Sequence, residues 1–283
     1  RTDDQGRIVE IKGPHPDDDQ ADVVLLRYAY DRDGNLVEAR DALDHPMRFV
    51  YDGHQLVQET DGNGLSFYFE YDQPGHEARC THTWGDDGIY DHKLDYDTLL
   101  KTTHVTNSLG QTTIHHWDDS GLVTQTIDPL GNLSMTAFNE FNQPVVETDE
   151  LGLETAYEYD ERGNTTQIVE PDGATVTIEY DDRDRAINAT DAIDGSWLWE
   201  HDAAGNLVRR VDPTGRETRF QHSDRGDVSA IIDPAGNTTT FAWDGNGNLS
   251  AVNLPDGGHS QWNYDRLGRA TQATDPAGNE QQR

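Results

Sequence analysis

Tyr157-Glu158-Tyr159-Asp160-Glu161-Arg162-Gly163-Asn164, closing on Glu170-Pro171-Asp172-Gly173, is one copy of a unit that recurs almost to the end of the chain. The slot of Asp160 is also filled by Asp97, Asp118, Asn139, Asp181, Asp202, Ser223, Asp244 and Asp265, and each step is 21 residues. A fixed period between about 20 and 50 residues marks a stacked repeat architecture, and it overrides any domain count argued from length. The residue before the slot is mostly aromatic: Tyr96, Trp117, Phe138, Tyr159, Tyr180, Trp243 and Tyr264. Two residues earlier there is often a second large apolar side chain, such as Leu94, Tyr157, Ile178, Phe241 or Trp262. Alternation of this kind predicts a strand with both aromatics on one face and the Asp on the other.

Each unit carries two turns. Asp202-Ala203-Ala204-Gly205 and Asp265-Arg266-Leu267-Gly268 fit a type I turn, with Asp accepting from backbone N–H groups two or three residues on and Gly free to take positive φ. Asp212-Pro213-Thr214-Gly215, Asp128-Pro129-Leu130-Gly131, Asp233-Pro234-Ala235-Gly236 and Asp275-Pro276-Ala277-Gly278 supply the second turn, with Pro where φ near −65° is wanted. Two turns and two strands of roughly six to seven residues fill the period. The expected fold is all-β: repeated antiparallel hairpins forming a long meander, one continuous array over residues 1–283.

The period is disturbed near residues 13–22 and 73–95. Pro14 to Asp22 reads as an acidic surface loop. The step from Asp72 to Asp97 is 25 residues and contains Cys80 to His92, which predicts a strand, a lengthened Gly-rich turn and another strand. Arg1 opens inside a degenerate unit and Arg283 follows a turn that should lead into another strand, so both ends read as cut from something longer. Exposed sheet edges at such ends predict self-association or a need for neighbouring segments.

Composition narrows the function. A 33% hydrophobic content suits a sheet that buries one face modestly, and the regular aromatics and turns argue against disorder despite a net charge of −33. That acidity opposes nucleic acid and anionic membrane surfaces. Cys80 stands alone, there is no apolar run of spanning length, and no signal-peptide pattern is expected within these residues.

No chemistry stands out. Asp244-Gly245-Asn246-Gly247-Asn248 begins like a calcium loop, but the sixth and twelfth places hold Leu249 and Pro255 instead of Gly and Glu. The same Asp-x-x-Gly recurs as a turn in other units. Calcium at the acidic Pro14 to Asp22 stretch stays open. Among the histidines, His115 and His116 point to opposite faces of a strand, whereas His82 and His92 approach across a hairpin in this reading. His104 adds a fifth ring to the same region, and the polar-strand reading is preferred over a metal, which needs three or four ligands. The Asp and Glu residues number 54, so no glycosidase-like pair is singled out. Neither a Gly-x-Ser-x-Gly elbow nor a phosphate-binding loop is found. No catalytic, cofactor-binding or metal-binding residue is therefore nominated, and no cofactor is expected. The aromatic residues are expected to lie beside one another in register, as cross-strand pairs worth about 0.5–1 kcal/mol each, or else to form a sugar- or peptide-binding strip.

The unit Tyr157 to Asn164, with Tyr264-Asp265-Arg266-Leu267-Gly268-Arg269 and the turn Asp212-Pro213-Thr214-Gly215, resembles the YD repeat of the Rhs family. That family includes bacterial Rhs polymorphic toxins, the insecticidal Tc toxin B and C components, wall-associated proteins and animal teneurins. The resemblance covers essentially the whole chain. It implies a sheet that spirals into a hollow β-shell enclosing a C-terminal toxic domain until delivery, often by type VI secretion. The family's self-cleaving aspartates follow the repeats, and nothing before Arg283 matches them, so no catalytic residue is carried over. The implied partners are the remaining Rhs core, the toxin domain and secretion-apparatus proteins, with no nucleic acid and no membrane span. The implied location is outside the producing bacterium. The alternative is a cell-surface adhesion or carbohydrate-binding protein, with a polysaccharide-active enzyme as a third reading.

Overall fold

The computed structural model describes residues 1–15 and 21–282. The acidic loop expected from Pro14 to Asp22 falls mainly on residues 16–20, which lie outside the described residues. On either side, β1 (Glu10–Pro14) pairs antiparallel with β2 (Asp22–Tyr30). Among the described residues the chain is all-β, and its helical element is a single 3-10 turn at Asp86–Gly88.

The chain forms two compact units, Arg1–Leu153 and Glu154–Arg283. In the first unit each strand pairs antiparallel with the next in sequence. Its later part runs β6 (Ser66–Tyr71), β7 (Cys80–Gly85), β8 (His92–Asp97), β9 (Thr102–Asn107), β10 (Thr112–Trp117), β11 (Val123–Ile127), β12 (Leu133–Phe138) and β13 (Pro144–Thr148). The second unit repeats the pattern from β14 (Glu154–Tyr159), β15 (Thr165–Val169) and β16 (Thr175–Tyr180) onward. The unit read from the sequence is thus a hairpin in fact, with strands mostly of five or six residues rather than six or seven.

The buried set is sparse. Ala230 is the buried apolar residue, and Ser66, Thr102 and Thr148 are the buried polar ones, among the described residues. Cohesion in such a sheet rests on backbone ladders and turn chemistry rather than on a dense apolar interior.

Two local features shape most repeats, the unit of Tyr96 and Asp97 being an exception in which β8 and β9 pair without a shift. At the marker turn, Gly163 N–H donates to the Asp160 carbonyl (3.1 Å) and Asp160 N–H to the Asn164 carbonyl (2.9 Å), with Gly163 at φ 92°. This closes a tight turn and inserts a one-residue bulge beside it. A second bulge follows within the hairpin: Glu158 faces Gln167, but Tyr159 faces Thr165, so two residues oppose one. The same shift occurs at Tyr30, Tyr51, Tyr71, Trp117, Phe138, Tyr180, His201, His222, Trp243 and Tyr264. Hairpins joined by the Pro-type turn, such as β11–β12 and β15–β16, show none. The aromatic slot therefore lies opposite the bulge, whose extra residue is on the following strand (Thr166 for Tyr159), and bulges increase local twist.

Candidate functional site

The marker carboxylate organises the turn. Asp160 Oδ1 accepts from Arg162 N–H and Asn164 N–H, both at 2.9 Å, and Oδ2 accepts from the Asn164 amide at 3.0 Å. The backbone partners lie two and four residues on, not two and three as the sequence suggested, because the bulge carries the fourth residue back under the carboxylate. The partner after the glycine was missed, although Gly-Asn recurs at Asn132, Asn206, Asn237, Asn248 and Asn279, each donating its amide to the turn aspartate. Arg185 and Arg269 take that place in other units through charged bonds to Asp181 and Asp265. The Asn amide, followed by the backbone donors, holds Asp160, Asp202 and Asp244 below the usual carboxylate range. At Asp181 the Arg185 guanidinium is the main cause of a larger depression.

Successive marker turns are braced within the second unit. Arg162 Nη2 donates to the Asp181 carbonyl (2.7 Å) and Arg183 Nη1 to the Ala203 carbonyl (2.8 Å). Arg225 Nη1 donates to the Asp244 and Gly245 carbonyls at 3.2 Å. The signal was an Arg two places after the marker.

The aromatic slot works differently from the expected ladder. Tyr159 on β14 and Tyr180 on β16 are separated by β15, so residues 21 apart are not cross-strand neighbours. Instead, Tyr180 Oη donates to the Thr165 carbonyl on β15 at 2.9 Å. The β15–β16 ladder covers Gln167 to Val169, so the Thr165 carbonyl lies beyond it and the phenol closes the splayed end. Tyr71 bonds Leu56, Tyr264 bonds Leu249 and the Trp243 indole bonds Val228, each carbonyl 15 residues back. His201 and His222 hold the slot in two units, and their Nδ1 atoms are buried without a hydrogen-bond partner. Burial pushes the Tyr71, Tyr96 and Tyr180 phenols up.

The irregular Cys80 to His92 segment is a local cluster. Asp86 accepts from Ser66 N–H (2.8 Å) and from Tyr68 Oη (2.9 Å), tying the 3-10 turn back onto β6. Tyr68 stacks on Trp84, and Trp84 on His82. A Cβ at Gly85 would lie 2.5 Å from Ile89 Cγ1, so the close approach requires glycine there.

The histidine pair does not assemble. His82 faces Lys93 and His92 faces Thr83, which places the two rings on opposite faces. His82 lies between Glu70 (3.4 Å) and Asp91 (3.1 Å), and His92 Nδ1 sits 2.8 Å from the Tyr90 carbonyl. His115 Nδ1 pairs with Thr126 Oγ1 at 3.1 Å, and His104 lies opposite Ile114. No group of three or more His, Cys, Asp or Glu is placed to hold a metal among the described residues. Asp244 binds Asn246 N–H, Asn248 N–H and the Asn248 amide, so its oxygens are committed to the turn.

One groove of about 390 Å³ in the first unit gathers Arg79, Tyr96, Thr103, His115, Trp117 and Val123. The Arg79 guanidinium lies 5.2 Å from the Tyr96 ring centroid. The register of β8, β9, β10 and β11 aligns Tyr96, Thr103, His115 and Thr126 in one cross-strand row. This is an aromatic shelf with a cation at its edge.

Against known proteins, residues 87–281 match the family model Teneurin YD-shell. Two proteins of Dickeya dadantii (strain 3937) are similar: "Probable deoxyribonuclease RhsB", 29% identical over 41% of this chain, and "Probable deoxyribonuclease RhsA", 30% identical over 39%. The matched part is 8% of each relative's length. Among solved structures, TcdB2-TccC3 covers 98% of this chain at TM-score 0.66 and 12% identity, with 19% of that chain matched. TcdB2-TccC3-TEV covers 97% at TM-score 0.54 and 12% identity, with 16% of that chain matched. At these identities the structural likeness is one of fold.

Proposed function

The chain belongs to the Teneurin YD-shell family, and from that premise we propose that it is a wall segment of a hollow β-shell in an Rhs-type toxin, enclosing a C-terminal toxic effector until delivery. The observation that carries this reading is how the repeats cohere. Backbone ladders and the slot phenols join neighbouring hairpins, turn carboxylates close each turn, and the buried set is sparse. A sheet built this way lines a space without filling it. Residues 1–283 act as one continuous array in this proposal, contributing containment and no catalysis. The deoxyribonuclease in the relatives' names belongs to those proteins, of which this chain matches a small part.

The partners in this reading are the rest of the shell, the enclosed effector and components of a delivery apparatus such as type VI secretion, with release outside the bacterium in competition with other cells. Free sheet edges in an isolated segment lead to self-association. No helix among the described residues is long and apolar enough to cross a membrane. Limited proteolysis of the full-length protein tests containment. The effector segment should survive protease in the intact protein and be cut once the wall is opened by mild urea. Equal cleavage in both states overturns the proposal.

The groove at Tyr96, Trp117 and Arg79 favours a second reading as a carbohydrate-binding adhesion surface. Glycan-array binding that Tyr96→Ala and Trp117→Ala abolish, with the fold intact by circular dichroism, would move that reading to the front.

A further inference from the structure

We propose that one edge of the first unit is a docking surface for a cationic amphipathic α-helix of a partner protein. Leu109, Leu130 and Leu151 occupy the third position of consecutive turns and are 79%, 86% and 83% exposed. The first two turns join β9 to β10 and β11 to β12, and the third follows β13, so antiparallel alternation puts all three on the same edge. Tyr90, in the loop between β7 and β8, extends the row and is 70% exposed. Turn chemistry does not ask for leucine here. The corresponding position holds Asn63, Asp172, Thr214, Ala235 and Ala277 in other turns, and Leu43 and Ile193 stand there singly, without an apolar neighbour one repeat away. Three fully presented leucines at a repeat spacing make a patch that water disfavours.

Charge and spacing choose the occupant. The four turns carry Asp86, Asp87, Asp91, Asp128, Asp149 and Glu150 and no Lys or Arg. The complementary surface is an apolar stripe flanked by cations. A second copy of this chain, at net charge −33, brings like charge instead. Consecutive leucines are two strands apart, about 9.6 Å. An α-helix returns the same face every seven residues, about 10.5 Å along its axis. An extended strand returns a face every two residues, about 6.7 Å, and fails the spacing. A polyproline segment repeats at about 9.3 Å, but its recognition uses aromatic-lined grooves, whereas these tips are aliphatic and protrude.

The test measures the full-length protein against a synthetic helix of about 21 residues, with Leu at every seventh and adjoining fourth position and Lys elsewhere. Binding is followed by fluorescence anisotropy at two salt concentrations, beside the variant Leu109→Ser, Leu130→Ser, Leu151→Ser. That variant keeps the net charge, and its exposed sites leave the fold intact by circular dichroism. The expected result is a loss of about tenfold or more in affinity, equivalent to about 1.4 kcal/mol of lost leucine burial. Leu→Met at the three sites should restore binding. Equal affinity of wild type and triple-Ser variant overturns the proposal, leaving charge alone. So does equal binding of a proline-rich probe of the same charge, or leucine-dependent self-association without peptide binding.

Discussion

Tyr180→Phe removes one oxygen and tests the slot bond in isolation. The phenol donates to the Thr165 carbonyl at 2.9 Å, beyond the end of the β15–β16 ladder. Phe fills the same volume, so packing on the strand face is conserved. A hydrogen bond of this kind contributes about 0.5–1.5 kcal/mol net, and more when the abandoned acceptor is shut off from water. Tyr180 and Thr165 are both half-buried, so water reaches the carbonyl in part and the expected cost is about 1 kcal/mol. Tyr71→Phe and Tyr264→Phe break equivalent bonds to Leu56 and Leu249. The three sites share no partners, so their costs should add to about 3 kcal/mol. Urea unfolding followed by circular dichroism reads this as a fall in the midpoint at constant slope. Tyr90→Phe, at an exposed loop position, is the control and should leave the midpoint in place. If Tyr180→Phe matches that control, or if the triple variant costs no more than one single variant, the slot bond is not what ties the repeats.

Three further outcomes follow from the same geometry. His201→Tyr and His222→Tyr should raise stability, by roughly 0.5–2 kcal/mol each, since they supply a slot donor where two buried Nδ1 atoms now lack partners; a lower urea midpoint would count against the slot assignment. Gly131 sits at φ 88° with open space where a Cβ would stand, so Gly131→Ala should cost about 1–2 kcal/mol from backbone strain alone, whereas Asn142→Gly, from φ 62°, should change the midpoint little. The turn aspartates Asp128, Asp160, Asp202, Asp233 and Asp244 are held below the ordinary carboxylate range, mainly by the following Asn amide. Their folded pKa values are depressed, so the stability they contribute is full above about pH 4 and is lost as pH falls through and below that value. Asn at several of these positions should flatten the acid limb of a stability-versus-pH curve, and an unchanged limb would place the acid sensitivity elsewhere.

The period, the turn residues and the hairpin itself were readable because each rests on local chemistry: Asp160 as acceptor, Gly163 at positive φ, Pro213 at its preferred φ. The slot aromatic was readable as a strand residue but not as the residue that faces a bulge. A bulge depends on how two strands align, and Tyr159 facing Thr165 leaves no mark within either strand. For the same reason the stacked ladder failed: a 21-residue step is two strands, and β15 stands between Tyr159 and Tyr180. The His82 and His92 approach failed on register, since one residue of offset sends a side chain to the other face. The groove at Arg79, Tyr96 and Trp117 draws on β8, β10 and the loop before β7, so spacing alone did not reveal it. The Asn partner of the turn aspartate was present in the recurring Asp-x-x-Gly-Asn and needed the geometry of the fourth residue to acquire meaning.

Electron microscopy of the full-length protein tests containment most directly. The expected result is a closed hollow shell with density inside it, in which hairpins of this chain form part of the wall. An open sheet, or a solid rod with no enclosed space, would contradict it.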